Sequence, residues 1–433
     1  MDPIQVLNDA GQEHLVAHAE TLPAEARDAF LADAAAQPWQ ELQDALKDEA
    51  RRVPELRPPQ ALTFGRQANE PELVKRLERM GLGLLAGGRV ATLLLAGGQG
   101  TRLGYDGPKG NVVFGPEEDR TLYRIHAERI AALSKRVGRP IPFYILVSAA
   151  TEAATREAFA QAEAWGLEEG QVRFLVQGTL PCLDEEGRGL LAGPGELARA
   201  PDGHGGAYRT LLDAGVIDQL AADEVDVLTT FQVNNPLGRG LDPVMLGWMV
   251  ERKLHAIGKA VRKATPDEKV GVFARDLRGN TRIVEYTELP PAPEGAPGEA
   301  MEAPLVMGSI AIHGFAVQWL KKLADAGMRL PLHRARKKVP YLDASGTLVQ
   351  PDEPNAWKLE RFIFDLFPEA GRAEVHEVRR EWEFAPVKNA EGVDSLTTAR
   401  VLVDSEVRRW HQSRGDEAPE PPSLRPLEID GPA

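Results

Sequence analysis

The stretch LLLAGGQGTRLGYDGPKG, Leu93 to Gly110, gathers the residues best able to do chemistry. Gly97, Gly98, Gly100 and Gly104 lack the Cβ atoms that would keep a ligand off the backbone, and glycine tolerates positive φ. Backbone N–H groups in such a loop, Thr101 among them, can face phosphate oxygens. Arg102 and Lys109 lie in the same loop and supply the positive charge a polyphosphate needs. Two familiar glycine loops do not fit. Read from Gly98, a dinucleotide fingerprint meets Leu103 where its third glycine belongs. A Walker A loop needs Gly-Lys-Ser/Thr, whereas Lys109 stands between Pro108 and Gly110.

Such a loop must hang on a buried strand. Val90 to Leu95 (VATLLL) and Pro142 to Ser148, with PFYILV, look continuously apolar, and Val172 to Val176 and Asp226 to Val233 also read as strands. Helical patterns over Thr121 to Leu133, Thr151 to Ala164, Ala207 to Ala221 and Asp242 to Leu254 alternate with them. This predicts an α/β fold with a doubly wound, mostly parallel sheet, whose ligand sits at the carboxyl ends of the strands. Apolar spacing predicts a helical N-terminal region over residues 1–60, which closes on a connector with three prolines between Arg51 and Gln60. The main body then spans 61–385. A short C-terminal region, 386–433, holds one helix from Val401 to Gln412 and a Pro-rich tail from Asp416. Pro290 to Pro304, rich in Pro, Gly and acidic residues, reads as an exposed loop.

Among 433 residues, 43% are hydrophobic and 27% charged, which fits a folded protein and excludes disorder. No apolar run approaches the ~18 residues of a bilayer span. With no leader pattern visible, the expectation is a cytoplasmic protein. Lys plus Arg at 51 against Asp plus Glu at 65 gives a net charge of −14, which disfavours nucleic acid. A phosphorylated small molecule would need its field reversed locally. The basic run HRARKK from His333 reads as a solvated face, and Cys182, the only cysteine, excludes an internal disulfide. The nine histidines are scattered and form no HxH pair.

GGQGTRLG followed by PKG resembles the signature of nucleotidyltransferases that join a nucleoside triphosphate to a sugar 1-phosphate. The chain is similar to the UDP-N-acetylhexosamine pyrophosphorylases, within the wider UDP-sugar pyrophosphorylase family. The similarity continues through AGQEHL at Ala10, VQGTLPC at Val176, GHGGAYRTL at Gly203, VEYTEL at Val284, KKVPYLD at Lys337, ERFIFDLF at Glu360, and PVKNAEG with TTAR between Pro386 and Arg400. It implies a Rossmann-like sheet of the nucleotide-diphospho-sugar transferase type, with UTP and a sugar 1-phosphate as substrates and a UDP-sugar and pyrophosphate as products. It also implies roles: Arg102 and Lys109 at the triphosphate, and Lys388 at the sugar phosphate. Gln177, Gly203 and the glycine loop would read the nucleotide. His204, Gly205, Glu285, Tyr286, Ser309, Phe362 and Phe364 would line the sugar pocket, and Mg2+ would accompany the phosphates.

The chain departs from the family pattern at named positions. Asn234 replaces the Asp of a V-D-N motif expected at the metal, so a neutral oxygen stands where a carboxylate is usual, with Asp242 a nearby carboxylate in sequence. His204 stands where N-acetylhexosamine enzymes carry Asn, in a G-H-G motif typical of the UDP-glucose branch. Ser309 and Ile312 replace two asparagines of G-N-I-A-N-H. The family's β-rich C-terminal domain has no counterpart after TTAR, and a monomer is expected. The reading is therefore a uridylyltransferase with N-acetylglucosamine 1-phosphate favoured. Glucose or galactose 1-phosphate is the alternative within the same chemistry, and a UDP-sugar-binding protein without turnover is the alternative outside it.

Overall fold

A computed structural model describes residues 2–47, 55–115, 120–286, 288–289, 306–343 and 345–418. The expected Pro290–Pro304 loop lies outside the described residues, as does most of the tail. The chain divides into two compact units. The larger takes Arg52–Val176, Thr210–Met328 and Leu366–Ala433; the smaller takes Met1–Arg51, Gln177–Arg209 and Arg329–Asp365.

In the larger unit ten strands form one sheet: β1 (Ala61–Leu62), β2 (Val90–Leu95), β3 (Phe143–Val147), β4 (Val172–Val176), β5 (Val227–Gln232), β6 (Ala256–Arg262), β7 (Val272–Arg275), β8 (Thr281–Val284), β9 (Met307–Ala316) and β10 (Ala373–Glu377). Their order is β1-β10-β6-β9-β5-β2-β3-β4, with β7 pairing β8 and β9. Along that path every pairing is parallel except the two made by β9, which runs antiparallel between β6 and β5. The mostly parallel sheet is thus as expected. Strands β2 and β3 are buried at every position, which is why they read as unbroken apolar runs. Leu94, Phe143, Ile145, Ile257 and Val261 belong to the core of this unit.

Local signals set the helix ends. The helix Leu122–Val137 starts where the Thr121 side chain accepts from the Arg124 N–H and stops at Gly138 in the left-handed region. The helix expected from Ala207 to Ala221 is instead two, Gly206–Asp213 and Val216–Ala222, separated at Gly215 with φ +67°. The C-terminal helix runs Leu396–Arg414, longer than expected, because the Ser395 and Thr398 side chains form a capping box ahead of Val401.

In the smaller unit four helices, Pro3–Asp9, Glu13–Ala19, Ala24–Ala35 and Trp39–Lys47, bury Leu7, Leu15, Phe30, Trp39 and Leu42 in a core shared with Leu180, Leu183, Leu197 and Leu359. Gln12 of the AGQEHL motif is fully buried; it donates to the Gly187 carbonyl and accepts from the Gly189 N–H. The motif therefore fastens helices to a turn far along the chain.

Candidate active site

In the larger unit the glycine loop springs from the carboxyl end of β2 and closes on itself. The Lys109 N–H donates to the Gly98 carbonyl at 3.0 Å, and the Gly100 N–H to the Gly107 carbonyl at 2.8 Å. The glycines divide by role. Gly104 needs its positive φ of +72°. A Cβ on Gly98 would meet nothing within 4 Å, so the loop's open side lies there. Gly110 has the opposite constraint: its Cβ would fall 2.2 Å from the Tyr123 ring, which pins the loop to the helix behind it.

Lys109 lies half-buried in this loop and, among the described residues, neither its ammonium nor the Arg102 guanidinium makes a hydrogen bond or ion pair. Burial, then the like charges of Arg102 and Lys388, hold the Lys109 ammonium below its ordinary pKa. The structure thus brings together the three cations singled out from sequence. Lys388 arrives from the far end of the chain; its ammonium pairs with Asp394 at 3.0 Å, and the adjoining Val387 N–H donates to the Asn234 carbonyl at 2.7 Å. Asn234 follows β5, half-buried, next to Asn235.

Asp242 is not available to replace the missing carboxylate. It caps the helix Pro243–Glu251 by accepting from the Val244 N–H, and its other oxygen lies 2.7 Å from the buried Lys259 ammonium. That ammonium holds its carboxyl well below the usual range against the opposing effect of burial. No cluster of three or more His, Cys, Asp or Glu side chains suited to a metal occurs among the described residues. The turn after β5 therefore offers a neutral amide at Asn234 and no such cluster among the described residues.

At the sheet edge Glu285 and Ser309 meet around Gly271. The Ser309 N–H donates to the Gly271 carbonyl at 2.8 Å, and a Cβ on Gly271 would stand 3.0 Å from Glu285 Oε1. Tyr286 is exposed. Ser309 Oγ accepts from the N–H of Ala311, which adopts φ +55°. Ile312 is buried in the core, so it offers this edge no polar group.

In the smaller unit the buried Gln177 amide donates to Asp202 Oδ1 at 3.0 Å and to the Gly203 carbonyl at 2.6 Å. Its donor is spent on its own chain, leaving the oxygen for a partner. Gly203 and Gly205 were expected to admit a ligand; instead the backbone of Arg361 and Phe362 fills that space, with the absent Cβ of each 2.4 Å from Arg361. Their lack of side chains lets GHGG pack against ERFIF. The result is a ring cluster. His204 stacks on Phe362 with centroids 5.2 Å apart, Phe364 lies 5.5 Å from His204, and His333 lies 4.4 Å from Phe362. Phe364 is buried and Phe362 only half so. The Ile363 N–H donates to His204 Nδ1 at 3.2 Å, which leaves the ring proton on Nε2. Burial, then His333, lower the His204 pKa to about 4, so the ring is neutral and Nε2–H a fixed donor.

Sequence reasoning passed over Asp202, Asn235, Lys259 and Glu383. Lys259 had a signal: a lone charge inside the apolar strand AIGKAV. Asp202 and Glu383 had none, since their importance comes from burial. In the basic strand His333–Lys337, the guanidiniums of Arg334 and Arg336 both lie 5.3 Å from the Trp357 ring.

Residues 57–422 match the family model described as UTP–glucose-1-phosphate uridylyltransferase. The chain is 39% identical over 369 residues to UDP-N-acetylhexosamine pyrophosphorylase-like protein 1 of Xenopus tropicalis, covering 83% of this chain and 71% of that protein. It is 36% identical over 348 residues to UDP-N-acetylglucosamine diphosphorylase 2 of Arabidopsis thaliana, covering 77% and 68%. Among solved structures, the uridine diphosphate N-acetylglucosamine pyrophosphorylase of Trypanosoma brucei superposes with a TM-score of 0.80 at 28% identity, over 95% of this chain and 86% of that one.

Proposed function

The chain belongs to the UTP–glucose-1-phosphate uridylyltransferase family, and on that premise we propose that it joins UTP to N-acetylglucosamine 1-phosphate, giving UDP-N-acetylglucosamine and pyrophosphate. One observation carries the chemistry: Arg102, Lys109 and Lys388 converge at a glycine loop in a protein of net charge −14, and Lys109 is half-buried without an anionic partner among the described residues. Crowded like charges cost free energy until an external polyanion arrives.

A sugar-phosphate oxygen attacks the α-phosphorus of UTP; the new P–O bond forms as the bond to pyrophosphate breaks. The attacking phosphate is already ionised, with a second pKa of about 6, so no general base is needed. What the protein must do is hold two anions in line and neutralise the leaving group. Arg102, Lys109 and the loop N–H groups serve the triphosphate, and Lys388 serves the sugar phosphate. Asn234 is the protein donor proposed for Mg2+, which would supply charge stabilisation to the phosphates. Glu285, Tyr286 and Ser309 are proposed for sugar hydroxyls, and Gln177, His204 and Phe362 for the uridine and sugar.

A second reading, glucose or galactose 1-phosphate, is favoured by the neutral His204 and by the burial of Ile312, which together remove amide donors suited to an acetamido group. Comparing kcat/KM for N-acetylglucosamine, N-acetylgalactosamine, glucose and galactose 1-phosphates decides between them. A maximum at either N-acetyl sugar supports the first reading, and a maximum at glucose or galactose supports the second. A monomer working in the cytosol without a nucleic-acid partner completes the proposal; molar mass by light scattering checks the first of these.

A further inference from the structure

Lys259 is the most puzzling side chain outside the site. It is fully buried in β6, and an ammonium removed from water is costly even when well paired. Replacing such a buried ionic cluster by packed apolar groups is often neutral or stabilising, so stability alone is a poor reason for one. Its partners show what it is joined to. Lys259 Nζ lies 2.7 Å from Asp242 and 2.6 Å from Glu383, with the His376 ring 3.5 Å from Asp242. The pairing of β6 with β9 slips between Gly258 and Ala260, so Lys259 sits at a bulge, a device that re-aims a side chain.

From Glu383 the connection runs to the site. The Asn235 side chain donates to the Glu383 carbonyl at 2.8 Å and accepts from the Ala385 N–H at 3.0 Å. One residue earlier in the turn, the Asn234 carbonyl accepts from the Val387 N–H. These three bonds fasten residues 383–387 to the turn that ends β5. Ala385 and Val387 are fully buried, and Lys388 is the first residue to leave the fastening.

We infer that Lys259, through Glu383 and Asn235, is a positioning residue for Lys388, holding the backbone that carries Lys388 so that its ammonium stands beside Lys109. The inference rests on the uridylyltransferase reading for the role of Lys388, but the fastening itself is a matter of structure. Two measurements on the full chain keep these separate.

The first is hydrogen exchange at the Ala385 and Val387 amides in wild type, Lys259→Met and Asn235→Ala, with Asn235→Leu in place of the alanine variant if that does not fold. Exchange at both should accelerate at least about tenfold when the fastening is lost; unchanged exchange overturns the inference whatever the activity. The second is a double-mutant cycle in kcat. Asn235→Ala and Lys388→Ala should each lower kcat, the latter by about a hundredfold. The double variant should be no slower than Lys388→Ala, because both act through one ammonium. Multiplying effects would overturn the positioning role. Accelerated exchange in a protein whose wild type releases no pyrophosphate would leave the fastening standing and overturn the reading of Lys388 together with its positioning role.

Discussion

Arg400 of the C-terminal helix donates from Nε to the Phe114 carbonyl at 2.7 Å and from Nη2 to the Val113 carbonyl at 3.1 Å. The TTAR motif thus grips the chain just past the glycine loop, while the same helix begins seven residues after Lys388 with its Ser395 cap. Arg400→Ala should loosen the loop at its downstream end. Expected are a loss of about 1.5 kcal/mol in urea unfolding and a KM for UTP raised more than that for the sugar phosphate. Equal changes in both KM values would assign Arg400 to general stability.

Two glycines of the loop should respond in opposite ways. Gly110→Ala drives a Cβ into the Tyr123 ring and should cost about 1–3 kcal/mol, read as a lower Tm. Gly98→Ala meets no protein atom, so Tm should hold while the KM for UTP rises. A Gly98→Ala enzyme with unaltered UTP kinetics would mean that the nucleotide does not approach this backbone.

Lys109→Ala should reduce kcat by about a hundredfold, the scale of removing one charge-stabilising group. The pH dependence has a defined sign. Because burial and its cationic neighbours lower its pKa, free Lys109 loses its proton below the ordinary lysine pKa of 10.5. Bound triphosphate favours the charged form. The alkaline fall of kcat/KM, which reports the free enzyme, should therefore begin at lower pH than that of kcat. Lys109→Arg should move the fall in kcat/KM to higher pH.

Acid should destabilise the fold through two imidazoles. His204 and His376 are both held to a pKa of about 4, His376 by burial first, with Asp242 opposing and Lys259 assisting. An unfolded histidine takes its proton near 6.5. Between pH 6.5 and 4 the unfolded chain therefore binds protons that the native state refuses, and stability falls as pH falls, by at most about 1.4 kcal/mol per pH unit per histidine. His376→Gln should flatten the dependence of the urea midpoint over this window. A slope unchanged by His376→Gln would show that His376 is protonated in the folded protein.

Asn234→Asp should lower the Mg2+ concentration giving half-maximal rate, since a carboxylate would replace a neutral oxygen. Chelation of the metal should slow wild type and variant alike. An unmoved half-saturation point would place the metal away from residue 234.

Much of the parallel core was legible because β2, β3 and β5 are buried almost throughout and so read as short apolar runs. The cations were legible because a glycine loop with Arg102 and Lys109 is unusual in an acidic chain. Long-range pairing left no such trace. Nothing local in Met307–Ala316 announces that β9 will run antiparallel between β6 and β5, or that helices before Arg51 will share a core with Leu180 and Leu359. The glycines of GHGG looked like room for a ligand, and only the fold shows Arg361 and Phe362 occupying that room. A neutral His204 likewise depends on burial that no motif encodes.

In the proposed reaction the loop from Gly97 to Lys109 holds UTP while a sugar phosphate attacks its α-phosphorus. Phosphorus-31 NMR of protein incubated with UTP, N-acetylglucosamine 1-phosphate and Mg2+ tests it most directly. UDP-N-acetylglucosamine and pyrophosphate should appear in equal amounts, with the signal largely abolished by Lys109→Ala. Spectra unchanged over hours for this sugar phosphate and its glucose and galactose counterparts, or full turnover by the Lys109→Ala enzyme, would contradict it.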